Sequence, residues 1–139
     1  MSTVLASLHR LRAHARQEAE VSLRNAEAAR DQQEQRLANV TSGIRAAQAA
    51  VDPSDVVALA AYQAYRIREE FTERRERVRL QQKERDVMLT GDRHVKCVRE
   101  ELTLEAVIEE RFVGAQEELK RVEARGMDEI AARARRVAG

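Results

Sequence analysis

The chain has 139 residues, of which only 3% are aromatic, 35% are charged and one is proline. Too few turn residues are present for a β-sandwich, which needs them roughly every 8–12 positions. The balance of 25 Lys and Arg against 24 Asp and Glu, net +1, lacks the basic field of a dedicated nucleic-acid binder. What remains is a long-helix protein with a thin apolar seam.

The first residues, MSTVLASLHRLRAHAR, lack the uninterrupted apolar region of a secretory signal. No run approaches the ~18 apolar residues of a membrane span, so no direct membrane insertion is expected. Leu37, Val40, Ile44, Ala47 and Val51 recur at alternating steps of three and four, the seam of a coiled-coil helix. Stepping back in the same frame gives Gln33, Arg30, Ala26, Leu23 and Ala19. Val4, Leu8, Leu11 and Ala15 form a stripe near the start, in a frame shifted by one extra four-residue step. That shift predicts a stutter, which locally unwinds a supercoil.

Asp52-Pro53 is the one strong breaker. Proline pushes the residue before it out of the helical region and is tolerated at the first position of a new helix. The expected elements are helix 1 over about 3–51, a hairpin over about 52–54 and helix 2 over about 54–137. Asp52 is expected to cap helix 2, with Asp55 adding charge to its first turn. A short connection folds two helices back antiparallel.

The predicted seam of helix 2 reads Val57, Ala60, Ala64, Ile67, Phe71, Arg74, Val78, Gln81, Arg85, Met88, Asp92 and Val95, with Leu102 in frame. Its polar positions, like Gln33 and Arg30, either fix register or leave the coil locally loose and solvated. Gly91 permits a bend or a break, because glycine costs roughly 1 kcal/mol in a helix. Folding at Pro53 sets Val4 opposite about Leu102. The chain after about Thr103 then carries an unpaired stripe of Phe112, Leu119, Val122 and Ile130, and such a stripe needs a partner.

Little here supports a reaction. His9 and His14 lie on different helix faces. His94 and Cys97 share a face but fall short of the ligand number of a stable zinc site. No phosphate loop, nucleophile elbow or HExxH is present. No catalytic residue, metal or cofactor is expected, and the single Cys97 fits a reducing compartment. Tyr62 and Tyr65 near the hairpin tip are either exposed contact residues or rings wrapped on the seam; Tyr65 is off the seam defined by Ala64 and Ile67.

Tyr62-Gln63-Ala64-Tyr65 early in helix 2 and Met127-Asp128-Glu129-Ile130-Ala131 near the C-terminus, with these helix lengths and this hairpin position, resemble the FliJ/YscO (SctO) family over nearly the whole chain. Members are non-enzymatic components of flagellar and virulence type III secretion systems. The resemblance implies an all-α fold: a long antiparallel two-helix coiled-coil hairpin with an overhanging C-terminal helix, similar to the central stalk of rotary ATPases. It implies a cytoplasmic protein at the face of an inner-membrane secretion apparatus. The implied partners are the export ATPase, which it activates, the cytoplasmic domain of the export gate protein, and export chaperones. By the same resemblance, Leu5, Leu8, Met127, Asp128 and Glu129 are expected to bind the ATPase. Tyr62, Tyr65, Glu69, Thr72 and Glu76 are expected to bind the gate. The alternative is a generic structural coiled coil that self-associates through its overhang.

Overall fold

The computed structural model describes residues 3–138. Two helices account for nearly all of them: α1, Thr3–Ala50, and α2, Val56–Ala138. They pack against each other as an all-α hairpin. The helices contribute to two compact units. One is Gln17–Lys96; the other joins the residues up to Arg16 with those from Cys97 onward. No kink-forming proline lies inside either helix, and α2 runs through Gly91 without a break.

The connection spans 51–55, slightly longer than expected. The Asp55 amide donates to the Asp52 carbonyl at 3.1 Å, closing a β-turn with Pro53 in the position its fixed φ favours. Asp52 does not cap α2. Its Oδ1 accepts from the Ser54 amide at 3.0 Å and hydroxyl at 2.7 Å, and these bonds hold its carboxyl below the usual range. The cap is Asp55, whose Oδ1 accepts from the amides of Val57 and Ala58, both at 3.1 Å. Such a cap contributes about 1 kcal/mol. The turn occupies Pro53 and Ser54, so α2 starts two residues later than expected.

In the hairpin unit, α1 presents the predicted seam. Ala19 and Gln33 are buried, and Leu23, Ala26, Arg30, Leu37, Val40, Ile44, Ala47 and Val51 are half-buried. The predicted seam of α2 is the wrong face. Ile67, Phe71 and Val78 are 57%, 66% and 53% exposed, and Val57, Met88 and Val95 are exposed as well. The residues turned to α1 are Ala58, Tyr62, Tyr65, Glu69, Thr72, Glu76, Leu80, Lys83, Val87, Thr90 and His94, all buried or half-buried. The more polar stripe of α2 is therefore inside and the more apolar one outside.

The inner stripe of α2 also holds the stutter. Steps of four and three run from Ala58 to Glu76; Glu76 to Leu80 is a second consecutive four, and the alternation then resumes. Pairing follows this shift. A Cβ on Gly43 would meet Tyr65, Gln33 bonds Glu76, and a Cβ on Gly91 would meet Leu23. From the first pair to the second, α1 takes ten residues (43 to 33) and α2 eleven (65 to 76). From the second to the third, α1 again takes ten (33 to 23) but α2 takes fifteen (76 to 91). The extra residues on α2 are what an inserted four-residue step supplies.

In the open-end unit, the expected stutter of α1 is absent. Leu5, His9, Arg12 and Arg16 keep the frame of Ala19 and are half-buried, whereas Val4, Leu8 and Leu11 are exposed. The helices meet there through charge. Arg12 Nη1 reaches Glu100 Oε2 at 2.7 Å, Arg16 Nε reaches Glu101 Oε2 at 2.5 Å, and His9 Nε2 lies 3.2 Å from Glu105 Oε1. Half-buried positions on α2 continue through Val107 and Ile108, so the overhang begins near Glu109 and not near Thr103. Every residue from 109 to 138 is exposed except Gly126.

Candidate functional site

The surfaces available for binding are apolar stripes left without a partner, and the structure places them in each unit separately. In the hairpin unit the stripe is the outward face of α2. Val57, Ala60, Ala64, Ile67, Phe71 and Val78 recur at heptad spacing and are all exposed. The one interruption, Arg74, lays its guanidinium over the Phe71 ring, 5.8 Å from the centroid, in a cation–π contact that leaves an edge of the ring open. A monomeric surface rarely shows so long an apolar row without a use for it.

The inward face of the same helix carries all five residues expected to bind the gate. They share one face, as their spacing requires, and that face meets α1. Tyr62, Tyr65, Glu69 and Thr72 are half-buried and Glu76 is buried. Tyr65 is on the seam, not off it. Its hydroxyl lies where Gly43 opens the opposing helix: a Cβ at 43 would stand 3.3 Å from that oxygen. Among the described residues the Tyr62 hydroxyl is buried with no hydrogen bond of ordinary geometry, and the Arg66 guanidinium is close enough to interact with it. Removing it by Tyr62→Phe relieves the desolvation of an unpaired group. The variant is expected to equal or exceed the parent chain in stability, by up to about 1 kcal/mol in urea denaturation. A loss of similar size would show that the hydroxyl is paired in solution.

Glu76 is 7% and Gln33 3% exposed. Gln33 Nε2 donates to the Glu76 carbonyl at 3.1 Å and also to its carboxylate. Arg79 Nη1 donates to the other carboxylate oxygen at 2.8 Å. The Gln33 bond, chiefly, and then Arg79, Arg75 and Arg36 hold this carboxyl below the usual range, against the opposing effect of burial. The pair is a buried polar contact across the seam.

In the open-end unit the five residues expected to bind the ATPase do not form one patch. Leu5 is half-buried and Leu8 exposed on α1. Met127, Asp128 and Glu129 are exposed on the overhang. Met127 follows Ile108, the last half-buried residue of the paired stretch, by 19 residues (108 to 127), or ~28 Å of helix at 1.5 Å per residue. Between them lie Phe112, Leu119 and Val122, which are 59%, 61% and 53% exposed.

One cluster was invisible in the sequence. His9, Glu101 and Glu105 bring one ligand-type atom each within 4.8 Å of one another. The histidine and the carboxylates lie more than ninety residues apart, so only the pairing of the helices reveals the group.

No helix among the described residues is long and apolar enough to cross a membrane. Compared with known proteins, no curated protein and no solved structure matches. The model of one family, described as flagellar FliJ protein, matches residues 1–139. With the all-α hairpin, its exposed overhang and the match across the full chain, this protein belongs to the flagellar FliJ protein family, whose members are components of the flagellar export apparatus.

Proposed function

We propose that this chain is a stalk-like, non-catalytic component that couples the export ATPase to the export gate protein and receives export chaperones at the cytoplasmic face of the apparatus. The observation that carries the reading is the division of apolar surface. Each unit has its own unpartnered stripe, as a coupling element with two separate partners requires.

The overhang, with Phe112, Leu119, Val122 and the Met127–Glu129 segment, is the proposed ATPase contact. Leu5 and Leu8 add a second point of contact on α1. The gate contact is assigned to the outward face of α2, with Ile67, Phe71 and Val78 at its centre. Tyr62, Tyr65, Glu69, Thr72 and Glu76 serve that contact from inside the seam, by setting the spacing and rotation of the helix that presents it.

Mixing the protein with its cognate export ATPase tests the first half. Hydrolysis and hexamer formation are both expected to rise; no change in either, with a stable homodimer in sedimentation, favours self-association through the overhang instead. Phe71→Glu tests the second half. It places a charge in the outward stripe without touching α1, so helicity and ATPase stimulation are expected to stay as they are. Affinity for the gate protein's cytoplasmic domain is expected to fall at least about tenfold, as loss of a central aromatic anchor does. Unchanged affinity would move the contact off this face.

A further inference from the structure

The heptad frame of α1 reserves positions 5, 9, 12 and 16 for the seam, and three of them hold His9, Arg12 and Arg16. Two of these are matched by simple ion pairs with Glu100 and Glu101. His9 is different, because it faces two carboxylates. Its Nε2 lies 3.2 Å from Glu105 Oε1, and a Glu101 oxygen completes a set of three ligand-type atoms within 4.8 Å. Glu101 and Glu105 stand four apart on α2, so one face of the helix presents both.

We infer that His9, Glu101 and Glu105 form a site for a divalent ion of the zinc type, bridging α1 and α2 in the open-end unit. This goes beyond the export role and does not depend on it. One imidazole nitrogen and two carboxylate oxygens suit zinc, with water in the fourth position; magnesium and calcium favour all-oxygen sets. Ligands about 2.1 Å from a tetrahedral ion stand roughly 3.4 Å apart. His9 Nε2 and Glu105 Oε1 already stand at about that spacing, and rotation of these two half-exposed side chains draws them towards the Glu101 oxygen, which lies within 4.8 Å of both. The Glu101 side chain is the least free, at 12% exposed, because Arg16 Nε holds its Oε2 at 2.5 Å. That bond orients the carboxylate, as an outer partner does in established zinc sites. The same guanidinium charge lowers affinity, so binding weaker than that of structural zinc is expected. The consequence is a clasp: an ion shared by both helices ties the open end of the hairpin.

The test is calorimetric titration of the tag-free full chain with zinc chloride. One ion per chain is expected. His9→Ala and Glu105→Gln are each expected to weaken binding at least tenfold, whereas His94→Ala and Cys97→Ser leave it unchanged. Cobalt substitution is expected to give d–d bands without thiolate charge transfer. If a variant loses helicity, the parent chain decides: the His9 ring resonances shift on zinc addition and those of His94 do not. The inference is overturned by no binding at 1 mM zinc, by binding that ignores His9→Ala and Glu105→Gln, by its loss in Cys97→Ser, or by His9 resonances that do not move.

Discussion

Replacing Gln33 by Leu is expected to lower the melting temperature by about 5 °C, and replacing Gln33 and Glu76 together by Leu is expected to raise it above that of the parent chain. The single change removes the principal donor to a carboxylate that is almost wholly shielded from water. An acceptor left unpaired in such a place loses its hydrogen-bond energy and keeps its desolvation penalty, and about 1–2 kcal/mol moves the midpoint of a chain of this size by several degrees. The double change replaces a polar pair by two apolar side chains that meet across the seam, which is often neutral or stabilising.

Acid gives an independent check on the same pair. The Glu76 carboxyl is held below its ordinary range, so its contribution is complete above the unfolded carboxyl pKa and is lost as pH falls through the lower folded value. The parent chain is therefore expected to lose more stability between about pH 5 and 3 than the double variant. A double variant that melts lower, or equal acid sensitivity in the two proteins, would show that the Glu76 carboxylate is not held buried and hydrogen-bonded in solution. A third measurement addresses why so costly a pair exists. If it fixes register at the stutter, the double variant gains stability but loses a unique pairing. Spin labels on 23 and 91 would then report more than one distance.

The two helices differ in how far their sequence disclosed their packing. The α1 seam was legible because its apolar residues and its buried face coincide from Ala19 to Val51. The α2 seam was not, because the more apolar stripe and the buried stripe are different faces. Hydrophobic periodicity identifies a face that wants covering; it does not say whether the hairpin or a partner covers it. The buried stripe of α2 lies one to two residues beyond the apolar one (58 against 57, 62 against 60, 65 against 64), a rotation of about 150° that leaves Phe71 outward and Tyr65 inward. The polar N-terminal seam was missed for a related reason. Val4, Leu8 and Leu11 attracted the frame away from His9, Arg12 and Arg16, whose partners Glu105, Glu100 and Glu101 only the antiparallel pairing supplies. The family was legible from the aromatic pair and the C-terminal segment.

Ending the chain after Ile108 is expected to abolish ATPase activation while leaving the hairpin folded. Every described residue from 109 to 138 except Gly126 is exposed, and Arg121 with Glu118, 3.7 Å apart, is an exposed pair on a single helix. Such pairs contribute only about 0.2–0.5 kcal/mol, so the segment's helicity is an extension of the paired part of α2, where the nucleation cost is already met. The melting temperature of the shortened chain is therefore expected to change little. The binding energy the segment can supply is large by comparison. Phe112, Leu119, Val122, Met127 and Ile130 are all more than half exposed, and fully covering one such side chain is worth about 1.5–3 kcal/mol. Covering the exposed part of all five supplies roughly 5–8 kcal/mol gross, reduced on association by the ordering costs of binding. Losing even half of that weakens association about a hundredfold or more. The shortened chain keeps Phe71 and the outward stripe, so its affinity for the gate domain is expected to stay unchanged. That retained binding separates loss of one surface from a general defect. Undiminished ATPase stimulation by the shortened chain would place the contact on Leu5, Leu8 and the paired seam instead. Stimulation lost together with gate binding would mean that the overhang supports the hairpin after all, against the exposure of nearly every residue in it.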